Sequence, residues 1–95
     1  MNYKETKERL KKLNLKKTKL TNEIAALTDE VTTLTAERSK IYNKIKDFTV
    51  DHTTAKNGAS ELGALTTQIK SKERSIKTKD KNLVICILDI ERLEA

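Results

Sequence analysis

Proline and tryptophan are absent from this 95-residue chain, phenylalanine occurs once (Phe48), and glycine occurs only at positions 58 and 63. All-β sandwiches and barrels need frequent turns, hence Gly and Pro, and cores rich in aromatic and β-branched residues. An aromatic fraction of 3% therefore argues against them. Cys86 is the single cysteine, which excludes a disulfide scaffold. The longest apolar run, Leu83 to Leu88, is far shorter than the roughly 20 residues needed to span a bilayer. No apolar segment follows Met1–Glu5, so no secretory signal is expected. A soluble chain in a reducing cytoplasm is the expectation, with export by a non-classical route left open.

What is present is charge and leucine. Charged residues make up 36% of the chain and the formal net charge is +6. That balance is basic enough to bring nucleic acid or an anionic surface into consideration, yet 14 carboxylates among 20 cations make a mixed surface. The decisive pattern is a heptad, abcdefg, in which positions a and d are apolar. Its a column reads Tyr3, Leu10, Lys17, Ile24, Val31, Arg38, Ile45, and its d column Thr6, Leu13, Leu20, Leu27, Leu34, Ile41, Phe48. A strict seven-residue repeat sustained this far specifies a coiled-coil helix, because a 3.6-residue stripe would drift off its partner.

A second heptad runs through Leu62, Ile69, Ile76, Leu83 and Ile90 at a, and Leu65, Lys72, Lys79, Cys86 and Leu93 at d. Between the two lie β-branched residues, the pair Asn57-Gly58 and a candidate N-cap, Ser60. The expected fold is thus all-α: one antiparallel two-helix coiled-coil hairpin domain over 1–95. Helix 1 is expected at about 3–48, a turn centred on Asn57 and Gly58 at about 49–60, and helix 2 at about 60–94. A rival remains, since one heptad column continues unbroken from Leu13 to Ile90. It would suit a single rod of roughly 140 Å at 1.5 Å per residue.

Charge favours the hairpin. Residues 1–20 hold eight Lys/Arg and two Glu, and residues 69–82 hold six cations and two anions. Residues 21–50 hold four cations and five anions, and residues 83–95 hold Arg92 against Asp89, Glu91 and Glu94. Antiparallel folding sets Lys70, Lys72, Arg74 and Lys77 against Asp29, Glu30 and Glu37, and Asp89, Glu91 and Glu94 against Lys16, Lys17 and Lys19.

No catalytic constellation stands out. His52 and Cys86 occur singly and far apart, without CxxC, HExxH or a glycine-rich phosphate loop, so neither metal, cofactor nor enzyme activity is expected. Cys86 at d reads as a small core residue. Two features could bind a partner. The first is a basic arm, Lys4, Lys7, Arg9, Lys11, Lys12 and Lys16, which in a hairpin with a longer first helix would project as a spur of a dozen residues. With almost no aromatics to stack bases, sequence-specific nucleic-acid readout is not expected from it. The second is the C-terminal segment, where Val84, Ile85, Ile87 and Leu88 are not needed for the seam and leave the helix apolar nearly all round.

In outline, a hairpin of this size resembles the helical-hairpin accessory proteins that travel with secreted bacterial toxins and small phage-encoded helical proteins. No Trp-x-Gly turn motif is present, and no family follows from the outline. The expectation is a non-catalytic protein–protein interaction module: an adaptor, accessory chaperone or inhibitor. It would bind a protein partner or a second copy through the C-terminal apolar segment. Nucleic-acid binding through the basic arm is the alternative.

Overall fold

The computed structural model describes residues 2–47 and 50–95, and these form two long helices, α1 (Tyr3–Ile45) and α2 (His52–Glu94). They pack antiparallel along their whole length into a particle of 72 × 15 × 14 Å. That length matches one 43-residue helix, about 65 Å at 1.5 Å per residue, and excludes the continuous rod.

Each helix starts on a side-chain cap. Asn2 Oδ1 accepts from the Glu5 amide at 2.8 Å, and Asp51 Oδ1 accepts from the Thr54 amide at 2.7 Å. Both satisfy a backbone donor that has no partner within its own helix. The many threonines of α1 are accommodated by back-bonding. The hydroxyls of Thr18, Thr21, Thr28, Thr32 and Thr33 donate to the carbonyls four residues earlier, at 2.8–3.1 Å.

The heptad columns form the interface. Leu20, Ile69, Cys86 and Ile90 are buried, while Leu10, Leu13, Ile24, Leu27, Val31, Leu34, Ile41, Ile45, Leu62, Leu65, Ile76, Leu83 and Leu93 are half-buried. Two helices shield each side chain from only one direction, so a thin seam is the outcome. Lys17 departs from its column and is exposed. Phe48, the last d residue of the first heptad, lies outside the described residues.

Two ion pairs set the register. Lys72 Nζ meets Glu30 Oε2 at 2.5 Å, and Lys79 Nζ meets Glu23 Oε2 at 2.5 Å. The pairs are one heptad apart on both helices. Each lysine occupies a d position, so its stem lies in the seam while its ammonium reaches the carboxylate at the edge. Of the expected cross-helix pairs, Lys72–Glu30 forms. Asp89 instead takes Arg92, one turn along its own helix at 3.9 Å.

The turn differs from its expected place. α1 ends at Ile45, three residues early, and α2 begins at His52 rather than near Ser60. The reversal falls between α1 and α2, where the amide of Lys46 meets the Tyr42 carbonyl and that of Val50 the Asp47 carbonyl. Asn57 and Gly58 lie within α2, and no described residue has a positive φ. The cap is Asp51, not Ser60. The physical reason is packing. Extending the second heptad back by seven places Ala55 at a and Gly58 at d, and Gly58 is buried against the end of α1. A Cβ at Gly58 would overlap Ile45 Cγ2 and come within 3.6 Å of Ile41 Cγ2. Gly58 therefore permits close helix approach and does not supply a turn conformation.

Candidate functional site

The outer face of α2 near its C-terminal end carries the exposed aliphatic surface. Val84, Ile85 and Leu88 are 56%, 48% and 45% exposed, whereas Cys86 between them is 2% exposed. The alternation follows from helix geometry. Cys86 at d faces α1, so Val84 at b, Ile85 at c and Leu88 at f point away from it. The Cys86 thiol donates to the Leu13 carbonyl oxygen at 3.2 Å, which holds this stretch of α2 against α1 and keeps the outer face turned to solvent. Ile87, at the flanking e position, is half-buried. It sits at the edge of the seam, so three of the four expected partner-binding residues are exposed over about half of their surface and one is shared with the fold.

Isolated exposure is commonplace and carries no such meaning. Leu15 on α1 is 64% exposed, but its neighbours on that surface are Lys11, Lys12, Lys16 and Lys19. Val84, Ile85 and Leu88 are contiguous.

The basic arm is arranged differently from expectation. Because both helices have 43 residues, the register of the ion pairs brings Glu94 level with about Glu8, and only about one turn of α1 extends beyond α2. No spur of a dozen residues forms. Lys4, Lys7, Arg9, Lys11, Lys12 and Lys16 are all exposed, and Lys7 Nζ lies 6.0 Å from the Tyr3 ring centroid. These cations encircle the helix instead of lining one face.

Near the turn, Arg38 at a seam position donates from Nη1 to Thr66 Oγ1 at 3.4 Å. With Ser39, Tyr42, Asn43 and Leu62 it borders an open groove of about 440 Å³. Glu23 and Asp51 have perturbed acidities. The hydrogen bond from Lys79 holds the Glu23 carboxyl below its usual value, with the Lys79 and Lys19 charges adding to it. The Thr54 amide, then the Thr54 hydroxyl, hold Asp51 down. Both shifts arise from structural contacts, a seam pair and a helix cap. Among the described residues no cluster of three His, Cys, Asp or Glu side chains is placed to hold a metal ion, and no helix is long and apolar enough to cross a membrane.

Compared with protein-family models, curated proteins and solved structures, the chain has no match.

Proposed function

We propose that the chain is a non-catalytic protein–protein interaction module of the cytoplasm, an adaptor, accessory chaperone or inhibitor, that engages its partner through the outer face of α2 at Val84, Ile85 and Leu88. One observation carries this reading. Three adjacent aliphatic side chains are held in solvent by a helix whose opposite side is already buried. Folding gains nothing from their remaining exposure, whereas a partner covering these half-exposed side chains gains roughly 0.7–1.5 kcal/mol for each before ordering costs. The seam buries the opposite side of α2 and so turns the patch outward.

The second reading, nucleic-acid binding by the basic arm, draws on the full exposure of Lys4, Lys7, Arg9, Lys11, Lys12 and Lys16. Salt distinguishes the two. Contacts to phosphates weaken linearly in log–log salt plots, and apolar association does not. Binding from a native-host extract at physiological salt should be lost on Leu88→Asp and largely kept when Lys11 and Lys12 are changed together to Ser. The reverse ranking, with steeply salt-dependent binding to duplex DNA or RNA, would overturn the reading.

A further inference from the structure

The seam divides the cations of mid-α2 into two groups. Lys72 and Lys79, at d, are taken by Glu30 and Glu23. Lys70, Arg74, Lys77 and Lys81, at b and f, face away from α1, are exposed, and form no ion pair among the described residues. They make one ridge about 16 Å long at 1.5 Å per residue. Lys70–Arg74 and Lys77–Lys81 are like-charged pairs at i, i+4, which destabilise a helix, so the ridge works against the fold and an anion laid along it removes the repulsion.

The surroundings of the ridge are uniform. Positions b, f, c and g follow one another round a helix. Between residues 67 and 82 of α2 they hold, besides the four cations, Thr67, Gln68, Ser71, Ser75, Thr78 and Asn82, all exposed. Over about four turns this face carries neither a carboxylate nor an apolar side chain. Glu73 and Asp80 lie at e, along one edge, and Glu73 borders a shallow groove with Lys70, Arg74 and Lys77. Four cations against these two carboxylates still leave the region positive. Along the other edge the glutamates of α1, Glu23 and Glu30, are already neutralised, and Glu37 lies level with about Leu65, beyond the end of the face. That edge is concave, with Arg74, Ser75, Thr78 and Asn82 bordering an open groove of about 320 Å³ against Leu20.

We propose that this face binds the sugar–phosphate backbone of duplex nucleic acid. It is separate from the aliphatic patch and from the basic arm of α1, so the chain joins a nucleic acid on mid-α2 to a protein partner at Val84, Ile85 and Leu88. The set of side chains selects the ligand. Lys and Arg together with Ser, Thr, Asn and Gln are the groups that contact phosphate and sugar oxygens. A bilayer surface would require apolar side chains to enter the acyl boundary, and a protein interface would require aromatic or aliphatic anchors; the face has neither. It has no aromatic ring to stack an unpaired base, which favours a duplex over a single strand. Contacts to the backbone alone make the binding independent of base sequence. On the basic arm, by contrast, the cations encircle the helix with Glu5 and Glu8 among them.

The test is fluorescence anisotropy of the full chain with a labelled DNA duplex of about 24 base pairs, in NaCl from about 50 to 200 mM. Four neutralised phosphates give a log–log slope of about −3.6, so affinity should fall about 100-fold across that range, and a duplex of scrambled sequence should bind within about twofold. Arg74→Gln with Lys77→Gln should bring the slope to about −1.8 and weaken binding at the lower salt at least tenfold, with helicity by circular dichroism unchanged. Ser71→Glu, which sets a carboxylate on the face, should weaken it by about 3–10-fold. Lys11→Ser with Lys12→Ser should leave the slope unchanged. Absence of saturable binding at the lower salt overturns the face as a nucleic-acid site. A loss that follows Lys11 and Lys12 instead of Arg74 and Lys77 moves the contact to the arm and overturns it equally. Tighter binding to vesicles of phosphatidylcholine with about 30% phosphatidylserine than to the duplex at equal salt overturns nucleic acid as the ligand.

Discussion

Replacing each glycine of α2 by alanine should move stability in opposite directions. Both residues sit inside the helix, so each substitution gains the same helix propensity, about 0.8–1 kcal/mol. Around Gly63 an added Cβ meets nothing within 4 Å, and Gly63→Ala should keep the whole gain. At Gly58 the Cβ overlaps Ile45 Cγ2, a branch fixed close to the backbone of a β-branched side chain that has little freedom at χ1. Overpacking a formed contact costs about 1–3 kcal/mol, so Gly58→Ala should come out destabilising by up to about 2 kcal/mol. In a chain of this size 1 kcal/mol corresponds to roughly 4–8 °C in Tm. Thermal unfolding followed by circular dichroism at one protein concentration should therefore rank Gly63→Ala above wild type and Gly58→Ala below it. In an Ile45→Ala background the obstructing methyl is gone, and Gly58→Ala should turn stabilising by about 1 kcal/mol. The packing account of Gly58 is refuted if Gly58→Ala stabilises as much as Gly63→Ala in the wild-type chain.

Acid should weaken the hairpin through Glu23 and Asp51. Both carboxyls are held below their ordinary values, so their contribution is complete above pH about 4.5 and fades as pH falls through the lowered values; Glu23→Gln should flatten the fall in Tm between pH 5 and 3. Removing the cap with Asp51→Ala should lower Tm measurably, and Asp51→Asn should retain most of it, since asparagine also accepts from the Thr54 amide. Cys86, 2% exposed, should resist alkylation in the native state and react at a rate that rises with urea as α2 lifts from α1. Changing Lys79→Leu together with Glu23→Gln should shift Tm by only a few degrees, because the pair is about one-third exposed on each side and such pairs contribute little net stability.

The helix faces were legible from residue order alone, and the turn was not. The d residues Leu13, Leu20, Leu27, Leu34 and Ile41 are all withdrawn from solvent, as a seven-residue repeat requires. The exposure of Val84, Ile85 and Leu88 follows from the same frame, because b, c and f lie opposite a and d. Ile87 is less clear-cut, since an e position borders the seam. The reversal was obscured because this chain marks it with neither Gly nor Pro. Its signals are an Asp51 cap and the return of heptad phase at Ala55. Thr53 and Thr54, residues that favour strands and turns when read locally, are carried into α2 by the packing that follows. Gly58 in d phase already pointed to a close helix contact, a meaning that a flexible-turn reading hides. The basic arm was misjudged for the same reason: an early turn lengthens α2 and covers the presumed spur.

The antiparallel register also imposes an order of closure. Gly58 and Ile45 are 13 residues apart in the chain, whereas Cys86 and Leu13 are 73 apart. Closing the longer loop from an open chain costs about 1.5 kcal/mol more entropy, so the hairpin zips from the turn toward its open end. The stretch around Cys86 is consequently among the last to close, and once closed it is held by the burial of Cys86 and Ile90. The exposed aliphatic face lies on that late-closing end, on one helix only, directly behind Cys86 and Ile90, two of the most deeply buried residues of the seam.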